Sequence, residues 1–258
     1  MAYPFGQLVL PRPPIANGQR RAFGLGAYPS ALHVAWNPPA PYRPIQAIAV
    51  DNEPEPFWDG ANEVLLVGQW MQAVHFEEVW GAIAPACEFN GRTGRQLDVR
   101  YLRPLCLTRE QTWITDCLDT YRLSVGGAGR IADTYAPFAQ AVHLPAAILG
   151  VHPSEAQIIQ EALANHLPRL ATELATAAPS LVFTLGNAAL AVMRHLVQSA
   201  NGAELPSALS SNPATYGIPV VVMIGGRRAN WLPLAHPAAP TAYQAAHDVW
   251  IAAQPPCG

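Results

Sequence analysis

The chain has 258 residues, half of them apolar and 13% charged, with a net charge of −3. Such a composition supports a large buried core and an ordinary α/β domain, and its acidic balance gives no global nucleic-acid signal, so any DNA contact has to come from a local patch. All 15 basic residues are Arg, which excludes P-loop, pyridoxal phosphate and Schiff-base chemistry, because each needs a Lys amine.

Residues 1–21 hold four prolines and little periodicity, and read as an extended arm. Residues 23–29 read as a strand ending in a Gly/Pro turn. A Pro-rich, hairpin-like stretch over 37–44 leads to a short apolar run, 45–50. Val67, Trp70, Met71 and Val74 recur at helical spacing within 62–80. A polar loop follows over 88–103, in which Arg92, Arg95, Arg100 and Arg103 form one candidate basic patch. Residues 112–118 read as a buried strand and 124–152 as loop-rich.

Ser154 and Gln157 make a capping box that opens a long helix. Its apolar positions are Ile159, Leu163, Leu167, Leu170 and Leu174, and Pro179 ends it. Residues 180–185 are a strand, Gly186 turns into a helix over 187–198, and 218–224 and 231–235 are further strands. A last helix spans Thr241–Ala252. This alternation predicts a three-layer α/β/α sandwich around a central, mostly parallel sheet of about four strands, folded as one domain over 1–258.

The four cysteines, Cys87, Cys106, Cys117 and Cys257, form no C-x-x-C pair and no zinc spacing with His. They read as buried or free thiols, and neither a metal nor a cofactor is expected. No 18-residue apolar stretch lacks breakers, so no membrane span is expected. The first five residues lack the basic run and apolar core of a signal peptide, and a cytoplasmic monomer is the expectation.

In open α/β sheets, ligands bind beyond the carboxyl ends of the strands. Four such ends carry unusual residues here. The first is Gly26-Ala27-Tyr28-Pro29-Ser30. The second runs from Asp51 through Glu53 to Phe57-Trp58. The third is T-W-I-T followed by Asp116, and the last is His236-Pro237-Ala238-Ala239-Pro240. Together with the segment from Pro179 through Leu185-Gly186-Asn187-Ala188-Ala189, this ordered set resembles the uracil-DNA glycosylase superfamily over about residues 22–250. His152-Pro153-Ser154 matches that family's closing turn in letters. It precedes the L-G strand, however, and its Ser is explained as a helix cap, so the closing turn is assigned to His236.

The resemblance implies a monofunctional base-excision repair glycosylase that hydrolyses the N-glycosidic bond of uracil flipped out of DNA, releases free uracil and leaves an abasic site. Phe57, with Trp58 as its substitute, would stack on the base. The turn Gly26, Ala27 and Tyr28 and the imidazole of His236 would face the base oxygen that gains charge. Asp116 stands where the family reads the base with Asn. The first motif lacks the family's water-activating acid, since Ala27 and Tyr28 occupy its positions, so Asp51 or Glu53 would take that role.

DNA contacts would come from Pro29, Ser30, Pro237, Ala238 and Ala239. Arg227 and Arg228 would hold the flanking phosphates. Pro240 and Tyr243 would stand where family members wedge the helix open. These departures describe a divergent bacterial branch without an iron–sulfur cluster. Two alternatives stay open: a glycosylase for deaminated purines (hypoxanthine or xanthine), or a DNA- or uracil-binding protein with little turnover.

Overall fold

A computed structural model describes residues 1–202 and 204–256; Cys257 lies outside them. The chain is α/β, and its contacts cluster into two compact units, each assembled from three separate chain segments. The strands, in chain order, are β1 (Ala22–Gly26), β2 (Ala31–Asn37), β3 (Ile45–Asn52), β4 (Ala82–Pro85), β5 (Thr112–Asp116), β6 (Arg122–Leu123), β7 (Gly150–Val151), β8 (Leu181–Leu185), β9 (Gln198–Ser199), β10 (Val220–Ile224) and β11 (Arg227–Leu234).

The first unit comprises residues 1–12, 29–95 and 120–152. Its three-stranded sheet has the order β3-β2-β4, antiparallel throughout. The helix Glu63–Ala73 supplies Val67 and Trp70 to a core that also holds Phe5, Trp36, Trp58, Tyr135 and Phe138. The expected arm is therefore corrected for its first residues. Tyr3 and Phe5 are buried, Ala2 bridges to Ile148, and the Phe5 amide donates to the Tyr135 hydroxyl. Residues 125–141, expected as loop, are helical. Ser124 caps that helix by accepting from the Gly127 amide, so the glycines that read as loop sit in its first turn.

The second unit comprises residues 13–28, 96–119 and 153–258. Its sheet has six strands in the order β5-β1-β8-β11-β10-β9. The first four are parallel, and β10 runs antiparallel to both β11 and β9, so the sheet is mixed and mostly parallel. β5 is buried at all five residues and β8 at four of its five, which is why both read as continuous apolar runs.

Helices lie around this sheet. Residues 155–177 form the long helix, and its capping box is present with both bonds made. The helix packs Ile158, Ala162, Leu170, Leu174 and Ala177 into the core with Phe23, Leu25, Val182 and Trp231. The stretch 92–102 is helical, correcting the expected loop. Cys87 and Cys117 are free thiols, whereas Cys106 is disulfide-bonded, contrary to expectation. No helix among the described residues is long and apolar enough to cross a membrane.

Candidate active site

Because β5, β1, β8 and β11 run parallel, their carboxyl ends share one edge of the sheet. Gly26 pairs in register with Asp116, and Leu185 with Leu234. The Gly26-Ala27-Tyr28 turn continues from β1, and its path is fixed by β5: the amides of Cys117 and Leu118 donate to the carbonyls of Gly26 and Ala27 at 3.1 and 3.0 Å.

Asp116 ends β5 and is 4% exposed. Its Oδ1 is buried and has no hydrogen-bond partner among the described residues. Burial pushes its carboxyl up to about 7; the guanidinium of Arg169 counters this and the carboxylate of Glu173 adds to it. An orphaned carboxyl oxygen in such a place is costly while it is charged, so burial favours the neutral acid below about pH 7.

Arg169, on the long helix, donates to the Thr115 hydroxyl (3.1 Å), to the carbonyls of Asp116 (2.7 Å) and Cys117 (3.1 Å), and to Glu173 Oε1 (2.8 Å). It thereby fixes the backbone from which Asp116 projects. Sequence reasoning missed both Arg169 and Glu173. The available signal was a pair of opposite charges four residues apart on a helix whose other face is apolar.

His236 follows the end of β11 and is half-buried. Burial lowers its imidazole to about 4, so it is neutral at physiological pH. Its Nδ1 accepts from the Ala238 amide at 3.1 Å, which places the ring proton on Nε2 and makes that nitrogen a donor. The turn 236–239 is braced by Gln244 of the final helix, whose amide donates to the carbonyls of His236 (3.1 Å) and Pro237 (3.0 Å).

Gly186 follows β8 beside this turn. Its φ of +94° suits glycine, and a Cβ there would meet the Cβ of His236 at 3.5 Å. Two strands separate β5 from β11, so at ordinary strand spacing about 14 Å divides the backbones of Asp116 and His236. That span is too long for direct contact between the two side chains.

Arg227 and Arg228 are not at this edge. They begin β11, and Leu234 ends it; at about 3.3 Å per residue the two arginines lie some 23 Å from the His236 end. Arg227 instead lines a cavity of about 230 Å³ with Gln19, Pro179 and Ile224, beside the starts of the strands. The phosphate-holding role expected for both is therefore corrected. From sequence they read as neighbours of the closing turn, because strand direction within the sheet was not visible.

The remaining candidates belong to the first unit. Asp51 accepts from the Asn52 amide at 2.7 Å, burial raises its carboxyl, and it lines a cavity of about 330 Å³ with Gln7, Arg12 and Trp70. Glu53 is 3% exposed, and its Oε1 accepts from the Ser30 amide at 2.9 Å. It thus ties down the chain just after Pro29. Phe57 is buried with φ +55°, a left-handed conformation uncommon for an aromatic residue. Trp58 is committed to the core, with its indole N–H donating to the Ala61 carbonyl, so it is no substitute for Phe57. Among the described residues no His, Cys, Asp and Glu cluster could hold a metal. In comparisons with known proteins, no family model matches this chain and no curated protein matches it.

Proposed function

We propose that the chain is a DNA glycosylase that hydrolyses the N-glycosidic bond of flipped-out uracil without cutting the strand. The observation that carries this reading is the pair of groups at one sheet edge: a buried carboxyl with an orphaned oxygen at Asp116, and a neutral Nε2–H donor at His236. Uracil presents an N–H flanked by two carbonyl oxygens, and that pattern complements one acceptor opposite one donor.

As the bond to the sugar breaks, negative charge moves onto the pyrimidine oxygen. A neutral imidazole donating to that oxygen would stabilise the charge without reorganising, as an oxyanion hole does. The protonated Asp116 accepts from the base N–H through its carbonyl oxygen and donates to the adjacent oxygen through its O–H. The chain contains no Lys, so water completes the reaction and an abasic site remains.

Incubation with uracil-containing duplex and single strand, followed by alkali, tests the reading. Alkali-labile breaks at the uracil position are expected from the parent protein. His236→Ala should lower the single-turnover rate about a hundredfold with DNA affinity little changed. Intact DNA from the parent, or equal rates for parent and H236A, removes the assignment. Hypoxanthine and xanthine share the adjacent N–H and carbonyl, and oligonucleotides carrying each lesion separate those substrates from uracil.

A further inference from the structure

Beyond the end of β11 the Ala235 peptide has no neighbouring strand to complete its hydrogen bonds, yet it is fully buried. Two tyrosine hydroxyls take them. The Ala235 amide donates to the Tyr216 oxygen at 2.8 Å, and the Tyr101 hydroxyl donates to the Ala235 carbonyl at 2.6 Å. Ala235 is the residue immediately before His236. The two tyrosines come from distant chain positions, one from the helical stretch 98–102 and one from the turn after Asn212.

The Tyr216 hydroxyl is itself held. His247, in the final helix and fully buried, approaches the Arg100 carbonyl with Nε2 at 3.1 Å and Tyr216 Oη with Nδ1 at 2.8 Å. A carbonyl only accepts, so Nε2 carries the proton. Nδ1 of the neutral ring then accepts, and Tyr216 must donate to it. The Tyr216 oxygen is thereby left as an acceptor for the Ala235 amide, and every bond in the chain from Arg100 to Ala235 has one consistent direction. The imidazole is fixed between aromatic rings, with centroids 4.4 Å from Tyr101 and 5.1 Å from Trp250. Gly217 lets the chain beside Tyr216 pass close to Trp250: its φ is +65° and a Cβ there would come within 2.5 Å of that indole.

We infer that Tyr101 and Tyr216, locked by His247, are positioning residues that set the direction of the His236 Nε2–H through the Ala235 peptide. This rests on the donor role proposed for His236. Satisfying two buried backbone groups would need only any donor and any acceptor. Here both are rigid aromatic hydroxyls with a third ring dedicated to orienting one of them, on the two peptide groups of the single residue preceding the donor.

The test uses Tyr101→Phe and Tyr216→Phe in the full chain, each removing one oxygen. Nitrogen-15 spectra of the His236 ring in the DNA-free protein read its tautomer and its titration. The expectation is loss of the pure Nε2–H form, or a shifted titration, in both variants. Single-turnover excision should fall about tenfold in each with little change in DNA affinity. In an H236A background neither change should slow the reaction further.

Unchanged His236 spectra in both folded variants overturn the inference, as do equal losses in the parent and H236A backgrounds. If Y216F fails to fold, His247→Asn loosens the Tyr216 hydroxyl without touching Ala235 and carries the same readouts. A parent protein inactive on uracil DNA would sink the proposed function, while the spectra alone would still decide the clamp.

Discussion

Asp116→Asn separates the charge of this residue from its hydrogen-bonding shape. Burial raises the carboxyl in the folded protein from 3.8 to about 7. A raised value means that its contribution to stability is fully present below pH 3.8, declines as pH rises, and is gone once the pH has passed through 7. Three pH units correspond to about 4 kcal/mol at roughly 1.4 kcal/mol per unit. The uncharged Asn avoids that loss, so D116N should match the parent near pH 4 and exceed it by up to about 4 kcal/mol from pH 7 upward.

Catalysis should follow the same titration. If the neutral acid reads the base, the parent's single-turnover rate should fall about tenfold per pH unit above 7. D116N, which keeps one donor and one acceptor, should stay level to pH 9. Urea unfolding from pH 4 to 9 and excision rates over pH 6 to 9 are the assays. Equal stability of the two proteins at pH 8.5, or a parent rate that holds steady to pH 9 while D116N is dead, would refute the reasoning.

Arg169 and Glu173 should shift that titration in opposite directions. Arg169→Leu is expected to raise the alkaline limb of the parent's rate profile and Glu173→Gln to lower it, and movement of both the same way would contradict the electrostatics. R169L should also cost roughly 3 kcal/mol in urea unfolding, because it strands the buried Glu173 carboxylate. Replacing Arg227 and Arg228 together with Ala should leave the single-turnover rate within about twofold of the parent, since both lie at the far end of the sheet; a tenfold loss would restore them to the site. Burial holds His33, His236 and His247 near 4 in the folded chain. Depressed values mean that stability is complete above 6.5 and lost as pH falls toward 4. With Asp116 and Asp51 opposing, the unfolding free energy from urea melts should rise between pH 4.5 and 6.5 by about 1–3 kcal/mol per pH unit, and a flat profile would contradict the burial of these rings.

The elements legible in the sequence were those with unbroken patterning. T-W-I-T-D and 181–185 are buried strands, and Thr241–Ala252 is the final helix. The Ser154–Gln157 box made the bonds its spacing implied. Reading failed where composition and tertiary context disagree. The helix around Arg92 and Arg95 looked too polar and glycine-containing, and β2 was hidden between Pro29 and Pro38. At the candidate site, Gly26, Asp116 and His236 were visible because strand ends announce themselves by turn residues and abrupt polarity. Tyr101, Tyr216, Gln244 and His247 were not, because each acts through a partner far away in the chain and none has a local pattern.

The position of β1 shapes how this protein is made. Ala22 pairs with Thr112 on one side and with Leu181 on the other. The earliest strand of the large sheet therefore emerges from the ribosome with both edges unoccupied, and its second neighbour is synthesised only after most of the chain. Loop closures of that length precede any reward from the contacts they enable, which slows folding and leaves Phe23 and Leu25 uncovered meanwhile. Overproduction should then favour slow translation at low temperature with holdase chaperones present, and truncated products ending before β8 should collect in the insoluble fraction.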